Sequence, residues 1–433
     1  MLLGRLRSLR ERVRAQPELI GRTAIVLLIK LGAAGLSYAM FIAIARALDA
    51  EAFGSFGLAF SAATLGAVII GFGQKAYILR RAPVLFAARN QAAVGALNRR
   101  ALLVFALMTI LIGGLGLLAV TAWPTTLPAG LWLWATGAAG LFALAEYQQS
   151  TARSAGIFIR ALAPRDLVWR ILVIAFAVGA ASATWMSAQS IFAALVLSLA
   201  GLLLAQQAWL PPLRPGLAAP AVDDRSRVWL TASVGLWGVA IIQALIPNLS
   251  VLAAGFILDV DTAGLLFAAL RTAMLLQIFQ MAANLVIAPS IARLQAENNL
   301  IKLQTESRLI TLLAALPLAG LLIIFALAGD WVMSIFGPEY AGSGSILLVL
   351  ALGFSTNAVC GPTAQMMESL HDERALFVIL TVSAAISTVL IFILGFAFGV
   401  LGVAVAVSLH SVMWNFAAYI RIWRRHGIRV GLI

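Results

Sequence analysis

The chain has little of what a soluble protein or a metalloenzyme needs. Charged residues make up only 11% of its 433 residues, against 62% hydrophobic residues and a mean hydropathy of +1.00. That balance excludes a soluble globular domain. The only cysteine, Cys360, excludes an intrachain disulfide and leaves no thiolate metal site, and the three histidines lack ligand spacing. We therefore predict no metal site and no other cofactor.

Acidic residues are scarcer than basic ones, which leaves a formal net charge of +13. Such a charge would suit nucleic acid if it formed one soluble face or tail, but the bases lie between apolar runs. The sequence therefore predicts no nucleic-acid partner and a lipid bilayer instead. Residues 1–20 form an arginine-rich tail, and the apolar run behind it has no small-residue cleavage site. That run is predicted to be a spanning helix, not a signal peptide.

Twelve apolar runs are long enough to cross a membrane, which takes about 20 residues each. They fall at 22–47, 53–79, 101–122, 129–151, 167–186, 188–209, 229–257, 262–290, 308–329, 344–369, 375–397 and 399–422. Of the 30 lysines and arginines, 27 lie in the tails and the connections on one side, whereas Arg46 and six acidic residues occupy the other. Because basic residues concentrate in cytoplasmic connections, this alternation predicts twelve transmembrane helices with both termini cytoplasmic.

A proline-rich connection near the middle divides the helices into six and six. The predicted domains are a basic tail (1–20), an N-lobe (21–210), a stiff cytoplasmic linker (211–227), a C-lobe (228–424) and a cytoplasmic tail (425–433). Leu48-Asp49-Ala50-Glu51 with Gly54 matches Leu258-Asp259-Val260-Asp261 with Gly264 at an offset of 210 residues. The repeat predicts parallel lobes related by an axis along the membrane normal.

The acid pair at 259–261 could be a metal site of the glycosyltransferase kind or a helix cap. Its repeat partner favours the cap, because both pairs stand just before a predicted helix, where acids accept hydrogen bonds from free amides. Only two basic residues lie at membrane depth, Lys30 and Arg271. Charge at that depth costs about 2.5 kcal/mol or more, which favours a functional role over a structural one. Glu146 lies near the cytoplasmic end of its run, where pairing with a rim arginine is favoured over proton coupling.

Four local patterns occur in register with the twelve predicted helices. They are Arg46-Ala47-Leu48-Asp49 to Phe53-Gly54, the segment from Gly264 to Arg271, Ile335-Phe336-Gly337-Pro338-Glu339-Tyr340, and Gly399-Val400-Leu401-Gly402-Val403-Ala404. In these features the chain resembles the polysaccharide transporter family of the multidrug/oligosaccharidyl-lipid/polysaccharide exporter superfamily, the flippases of O-antigen and exopolysaccharide repeat units. The resemblance covers nearly the whole chain, which lacks the two extra helices typical of peptidoglycan-precursor flippases.

The resemblance implies an all-α integral membrane fold, with two six-helix lobes forming a V around a central cavity. It also implies a function, alternating-access transport of undecaprenyl-diphosphate-linked oligosaccharide from the inner to the outer leaflet of the bacterial cytoplasmic membrane. A polymerase and chain-length proteins of the same pathway would be its protein partners.

A diphosphate cargo would need cationic and hydrogen-bonding side chains along its path. Arginine suits phosphate because of its planar donor fork, so Arg271 is the main predicted anion contact. Lys30 could face the cavity or extend to the cytoplasmic surface. The amides Gln277, Asn284 and Gln243 are further predicted substrate contacts, although on a straight helix Gln277 and Asn284 point away from Arg271. We expect either a bend there or a role in joining helices.

Proline and glycine mark predicted gate hinges in the first helix of each lobe. Pro247 with Asn248 would kink the seventh helix, and Gly32 and Gly35 occupy the matching place in the first.

Two other function classes compete with the flippase. A cation-coupled multidrug antiporter of the same fold would need buried acids, whereas the charge at membrane depth here is basic. A membrane glycosyltransferase or polymerase would need a sizeable outer loop with catalytic residues, and the predicted outer loops are short.

Overall fold

A computed structural model of the chain describes residues 17–122, 128–215, 226–297 and 299–432, and within these ranges the fold consists of helices and turns without a β-strand. Most of the predicted basic tail (1–16) and the central part of the predicted linker (216–225) lie outside the described residues. The predicted lobe boundaries therefore stay predictions.

Six helical segments precede the linker. They are α1 (Pro17–Ala47), α2 (Ala50–Gly71), α3 (Gln91–Ala122), α4 (Ala129–Ser154), α5 (158–179) and α6 (Ala188–Trp209). Phe72 and Gly73 adopt positive φ values of 41° and 68° after α2, and a separate helix then runs from Gln74 to Ala87. The second apolar run, predicted to be one helix from 53 to 79, is thus broken in its last third. A π-helical turn, Pro164–Val168, interrupts α5.

Six more segments follow the linker. They are α7 (Ser226–Ile257), α8 (260–296), α9 (Leu300–Ser334), α10 (344–369), α11 (373–398) and α12 (400–426). A 3-10 turn at Met274–Leu276 divides α8. Gly399, with φ of 61° and ψ of −146°, separates α11 from α12 within one long helical segment. In the described chain nine helices pass a length and hydropathy test for membrane spans, with the α11–α12 pair taken as one, and the bent α10 makes ten.

Counting α11 and α12 separately makes eleven, and α5, which the π-helical turn interrupts, makes twelve. The prediction of an all-α membrane protein with twelve transmembrane helices in two six-helix lobes around a central cavity is therefore confirmed.

Asp49 and Asp259 are the N-caps of α2 and α8. The Oδ1 of each accepts a hydrogen bond of 2.7 Å, Asp49 from the Ala52 amide and Asp259 from the Thr262 amide. Both cap residues have extended backbone geometry, as an N-cap requires. The capping interpretation of the repeated acid pairs is confirmed at both positions.

The lobes touch along one seam, where α2 packs against α7 and α8. Near the helix caps α2 crosses α8 at Gly54, and a Cβ added to Gly264 would lie 2.8 Å from the Gly54 Cα. These are the two glycines of the sequence repeat, so the crossing pairs equivalent positions of the two lobes. The seam continues to the other end of α2, where the Trp237 indole donates to the Val68 and Ile69 carbonyls, each at 3.1 Å.

We call the end of the molecule that contains Asp49, Asp259, Asp330 and Glu339 the acidic end. Aromatic rings fill the space between the lobes there; they are Phe41, Phe53, Phe56, Phe267, Phe336 and Tyr340. Arg46, at the end of α1, donates to the Ser334 and Ile335 carbonyls at 2.9 and 2.8 Å. The lobes are therefore closed at the acidic end.

A second and sparser seam runs between α1 and both parts of α8. There the Phe41 and Phe267 rings lie 5.2 Å apart. Farther along α1, Leu31 and Gly35 are exposed, and a Cβ on Gly35 would meet nothing within 4 Å. The space that remains between α1, α5 and α8 is the mouth of the cavity described next.

Candidate functional site: a basic cavity between the lobes

Two adjoining pockets of about 330 and 310 Å³ lie between the lobes. Helices α1, α2, α4 and α5 form the N-lobe wall, and α8 forms the C-lobe wall. The pockets share Ala34, Ser37, Arg170, Met274 and Ile278 as lining residues, so we treat them as one space, the central cavity. It adjoins the aromatic cluster that closes the acidic end, through Phe41.

Arg271 projects from α8 into a cage of three aromatic rings. Its Cζ lies 4.6 Å from the ring centroid of Phe267, 5.3 Å from that of Phe60 and 5.4 Å from that of Phe41. Phe60 and Phe41 belong to the N-lobe, so the guanidinium lies between the lobes. The ring faces offset part of the desolvation cost of the cation, by about 0.5–2 kcal/mol for each well-placed ring.

No carboxylate lies within ion-pairing distance of Arg271 in the described part of the chain. Its only polar contact there is a long one, 3.8 Å from Nη1 to the Met274 sulfur, and its Nε is buried without a hydrogen-bond partner. A structural arginine in a membrane protein normally binds carbonyls or carboxylates. Arg271 instead presents unused donors to a cavity.

Two further arginines reach the cavity from the interrupted α5. Arg170 is held in place by bonds to Ser37 Oγ (2.6 Å) and to the Asp166 carbonyl (2.6 Å). Arg165 faces Glu146 at 3.6 Å, too far for a good hydrogen bond, and its Nε has no partner among the described residues. The N-lobe wall therefore adds two cations opposite Arg271.

Both carboxylates of the cavity are already neutralised by basic side chains. The Lys30 ammonium donates to Asp166 Oδ2 at 2.6 Å, and the Gln149 amide donates to Asp166 Oδ1 at 3.3 Å. Lys75 donates to Glu146 Oε2 at 3.0 Å. Of the two positions expected for Lys30, the structure thus shows the one that lines the cavity, and Glu146 pairs with Lys75 and Arg165.

The cavity as a whole carries net positive charge. Four basic residues and two acidic residues line it: Lys30, Arg165, Arg170 and Arg271 against Glu146 and Asp166. Because the acids pair with Lys30, Lys75, Arg165 and Arg170 within the N-lobe wall, the cation without an acidic partner in the described chain is Arg271. Such a cavity suits an anion.

The Lys30–Asp166 pair gives a testable consequence for stability. The Asp166 side chain is only 5% exposed, so Lys30→Met would leave its charge with Gln149 and the more distant Arg170. We expect this variant to lose about 1–3 kcal/mol of stability and a corresponding amount of thermal resistance in detergent. The double variant Lys30→Met/Asp166→Asn should recover most of the loss, because the buried carboxylate is removed and Arg170 keeps its bonds to Ser37 Oγ and the residue 166 carbonyl; equal instability of both variants would contradict this assignment.

The amides predicted on α8 lie beside the central cavity because α8 is not straight. The 3-10 turn Met274–Leu276 falls between Arg271 and Gln277 and changes the helical register. Gln277 consequently lines the central cavity, and with Asn284 it also lines a neighbouring polar pocket. The 3-10 turn thus brings Gln277 to the central cavity although a straight helix would point it away from Arg271; the role of these amides as substrate contacts stays a prediction.

The other predicted residues lie away from this site. Gln243 is exposed on α7 and lines none of the described pockets. Pro247 sits inside an α7 that is helical throughout, and the Asn248 amide donates to the Ala244 carbonyl at 2.8 Å, next to the proline. A Cβ added to Gly32 would lie 3.6 Å from Leu167 Cδ2, whereas one added to Gly35 would meet nothing within 4 Å. Their roles as hinges stay predictions.

Sequence reasoning missed Arg165, Asp166 and Arg170, which were assigned to a cytoplasmic connection. One signal was available, because Arg170 lies three residues inside the predicted apolar run at 167–186. The π-helical turn that begins at Pro164 places all three in the wall of the cavity, and it has no comparable signature in the sequence.

Solved structures with a similar fold are membrane transporters. The chain is similar to a multidrug resistance MATE family transporter of the MOP superfamily in an inward-facing conformation, at 15% identity over 93% of this chain and 98% of that one, with a TM-score of 0.71. A Vibrio cholerae MATE transporter mutant gives 16% identity, coverages of 93% and 98%, and a TM-score of 0.60. A MOP superfamily transporter of Pyrococcus furiosus, whose binding pocket of reverse polarity is described as suggesting a different function, gives 14% identity, coverages of 94% and 95%, and a TM-score of 0.57.

No family model and no curated protein sequence matches the chain. At these identities the likeness establishes the fold: the chain is a multi-pass membrane protein with the fold of MATE transporters of the MOP superfamily. The sequence patterns suggest one family within this superfamily, and membership of that family depends on which substrate the chain transports.

Proposed function

We propose that the chain is a transporter that moves an amphipathic anion through the central cavity. More specifically, we propose that it flips undecaprenyl-diphosphate-linked oligosaccharide repeat units from the inner to the outer leaflet of a bacterial cytoplasmic membrane, for O-antigen or exopolysaccharide synthesis. The observation that carries the proposal is Arg271, a cation between the lobes with free donors and no carboxylate partner in the described chain.

Electrostatics favours an anionic cargo over a neutral or cationic one. A diphosphate carries about two negative charges across roughly 30 Å of hydrocarbon, and fixed cations in a protein-lined path replace the hydration it loses. Guanidinium groups offer paired donors that match phosphate oxygens. Arg271 has a buried Nε without a partner and no ion pair among the described residues, so its guanidinium can donate to such a ligand without losing an ion pair.

The unequal seams between the lobes suit a substrate with a long lipid tail. Contacts run the length of α2 on one side, from Gly54 to Trp237, whereas the contacts between α1 and α8 on the other side are sparse. A polyprenyl chain would stay in the bilayer at this sparser seam while its headgroup enters the cavity. With the acidic end facing outward, as the charge distribution predicts, the aromatic cluster would close the cavity on its outer side.

One of the structural relatives supports this choice within the superfamily. The Pyrococcus furiosus transporter is described as having a binding pocket of reverse polarity that suggests a different function. The net positive charge of the central cavity here is likewise unlike what a carrier of cationic drugs needs. The basic lining therefore supports a cargo other than a cationic drug.

A cation-coupled multidrug antiporter is the second candidate. Glu146 and Asp166 give the N-lobe wall two carboxylates, and two of the structural relatives are MATE transporters, one of them described as conferring multidrug resistance. For this function a drug or coupling ion would have to displace Lys75 or Lys30 from its carboxylate. We rank it second because both acids are already paired.

Transport is proposed in preference to catalysis. The residues lining the cavity include no nucleophile held by a base, and the acid pair that could have bound a metal forms helix caps instead. The proposed partners are the lipid-linked glycan, the bilayer, and the polymerase and chain-length proteins of the same pathway.

Flipping and drug transport can be compared in one preparation. Proteoliposomes containing the purified chain would be loaded with lipid-linked oligosaccharides extracted from the source cells, and their translocation followed by access of an external glycosidase. In parallel, uptake of ethidium would be measured under proton and sodium gradients. We expect flipping without ethidium transport, and we expect Asp166→Asn to retain more flipping than Arg271→Ala. Ethidium transport that is lost in Asp166→Asn, without flipping, would favour the antiporter.

A further inference from the structure

A separate pocket of about 340 Å³ adjoins the central cavity inside the C-lobe. It lies between α8 and the two parts of α10. Five of its six lining residues carry amide side chains and none is charged; they are Gln277, Gln280, Met281, Asn284, Asn357 and Gln365. We call this pocket the amide pocket. Its composition contrasts with the basic lining of the central cavity.

Two acceptors in the amide pocket have no partner in the described chain. The Gln280 side chain is 5% exposed; its Nε2 donates to Asn284 Oδ1 at 3.1 Å, but its Oε1 accepts no hydrogen bond. The Oε1 of Gln365 is likewise buried and unpaired. Buried polar atoms are nearly always satisfied in folded proteins, by protein groups, water or a ligand. These two oxygens therefore point to a hydrogen-bond donor that enters the pocket.

Amide side chains in membrane helices often join one helix to another, so this alternative needs to be weighed. The one amide–amide bond among the lining residues, Gln280 to Asn284, links positions four apart on the same helix. No side-chain hydrogen bond from Asn357 or Gln365 reaches α8 in the described structure. In the described chain the amides thus do not serve as a bridge between α8 and α10, and apart from the Gln280–Asn284 bond the unpaired Oε1 atoms of Gln280 and Gln365 stay available to a ligand.

The amide pocket continues the path that begins at Arg271. Gln277 and Met281 line both the amide pocket and the part of the central cavity next to Lys30 and Arg170. A single ligand can therefore span the two spaces, with its charged portion among the arginines and an uncharged polar portion among the amides. Amides both donate and accept hydrogen bonds, as sugar hydroxyls do.

We propose that the amide pocket binds the first glycosyl residues of the substrate, while the arginines of the central cavity bind its phosphates. This inference rests on the proposed function, because it assumes one substrate with an anionic linkage and a hydroxyl-rich head. It adds a second site with its own chemistry. The central cavity would then recognise the phosphates and the amide pocket the sugar. The amide pocket would therefore distinguish the glycan-bearing lipid from the lipid carrier without sugar.

Binding to two lipids tests the assignment. The purified chain in nanodiscs would be titrated with the lipid-linked oligosaccharide pool from the source cells and with synthetic undecaprenyl diphosphate, which has no sugar. We expect wild type to prefer the glycan-bearing lipid by about tenfold, as a few net hydrogen bonds would give. Gln280→Leu and Asn357→Leu should each reduce this preference by severalfold and bind undecaprenyl diphosphate with unchanged affinity.

Two controls separate the amide pocket from the proposed function. Gln91→Leu, which changes an exposed glutamine outside the site, should keep the wild-type preference, and Asn357→Leu serves if Gln280→Leu does not fold. If wild type shows no preference, or if both pocket variants keep it, the amide-pocket assignment is wrong while the anion site stands. If neither lipid binds wild type, the proposed function itself is wrong.

Discussion

Arg271→Ala is expected to reduce export of the lipid-linked oligosaccharide by about a hundredfold or more while the protein still inserts and folds. The variant removes the cation at the centre of the cavity, and charge-assisted hydrogen bonds of this kind contribute about 1.5–3 kcal/mol each. A loss of about 3 kcal/mol corresponds to roughly a hundredfold in affinity or rate. No bond to a carboxylate is lost, because the guanidinium has no such partner in the described chain. The effect should therefore fall on transport and leave stability nearly unchanged.

Arg271→Lys separates charge from geometry at the same position. Lysine keeps the positive charge but cannot offer the paired donors of a guanidinium, so we expect transport to fall by about tenfold. Arg374→Ala removes an exposed arginine outside the central cavity and serves as the matched control with near-normal transport. Flipping would be measured in proteoliposomes, and folding by gel filtration and thermal unfolding. Wild-type flipping by folded Arg271→Ala would exclude the proposed anion site.

The position of Arg271 was predictable from sequence, but its surroundings were not. A lone arginine about ten residues into an apolar run is visible in one dimension, since charge at that depth is costly. Its ring partners Phe41 and Phe60 come from two other helices. In a chain with 22 phenylalanines, no local pattern marks the two that meet it.

The number of helices and the positions of their ends could also be predicted, because both depend on patterns along the sequence alone. Apolar length and the alternation of basic connections determine how many times the chain crosses the membrane, and the acid before a helix marks an N-cap, as at Asp49 and Asp259. Breaks within apolar runs were missed because hydropathy does not record them. The turn at Phe72 and Gly73 lies within the predicted run 53–79, and the π-helical turn at Pro164–Val168 crosses the predicted start of the run 167–186.

Irregular turns within helices determine which residues line the central cavity. Arg165, Asp166 and Arg170 reach the cavity only because α5 is irregular, and Gln277 lines it beside Arg271 only because of the 3-10 turn in α8. Sequence periodicity assumes a straight helix, so it assigned Gln277 to the wrong face relative to Arg271. Binding sites in membrane transporters commonly use interrupted helices, which makes such sites hard to derive from periodicity alone.

Closure at the acidic end depends on the pair of glycines that the sequence repeat relates. A Cβ built on Gly54 would lie 2.1 Å from the Val260 carbonyl oxygen, and one on Gly264 would lie 2.8 Å from the Gly54 Cα. Both distances are shorter than atoms tolerate, and the obstacles are backbone atoms that cannot rotate away. Alanine at either position therefore cannot be accommodated unless α2 and α8 separate where they cross.

Gly54→Ala is accordingly expected to favour conformations in which the acidic end is open. Overpacking of this kind costs about 1–3 kcal/mol, enough to shift a two-state equilibrium by roughly ten- to a hundredfold. Because alternating access requires both states, we expect transport to fall by about tenfold or more. The opening would be detected by labelling Ala263→Cys, at a position that is fully buried, with a membrane-impermeant maleimide in a Cys360→Ala background.

Gly71→Ala is the matched control for this variant. It lies on the same helix, and a Cβ there meets nothing within 4 Å, so it introduces the same change in helix propensity, about 1 kcal/mol in favour of the helix, without a clash. We expect wild-type labelling and transport for Gly71→Ala and increased labelling with reduced transport for Gly54→Ala. Equal labelling of the two variants would mean that the lobes do not close at this glycine pair. The repeat would then reflect only the common ancestry of the lobes, because the two capped helices would have no joint role in the transport cycle.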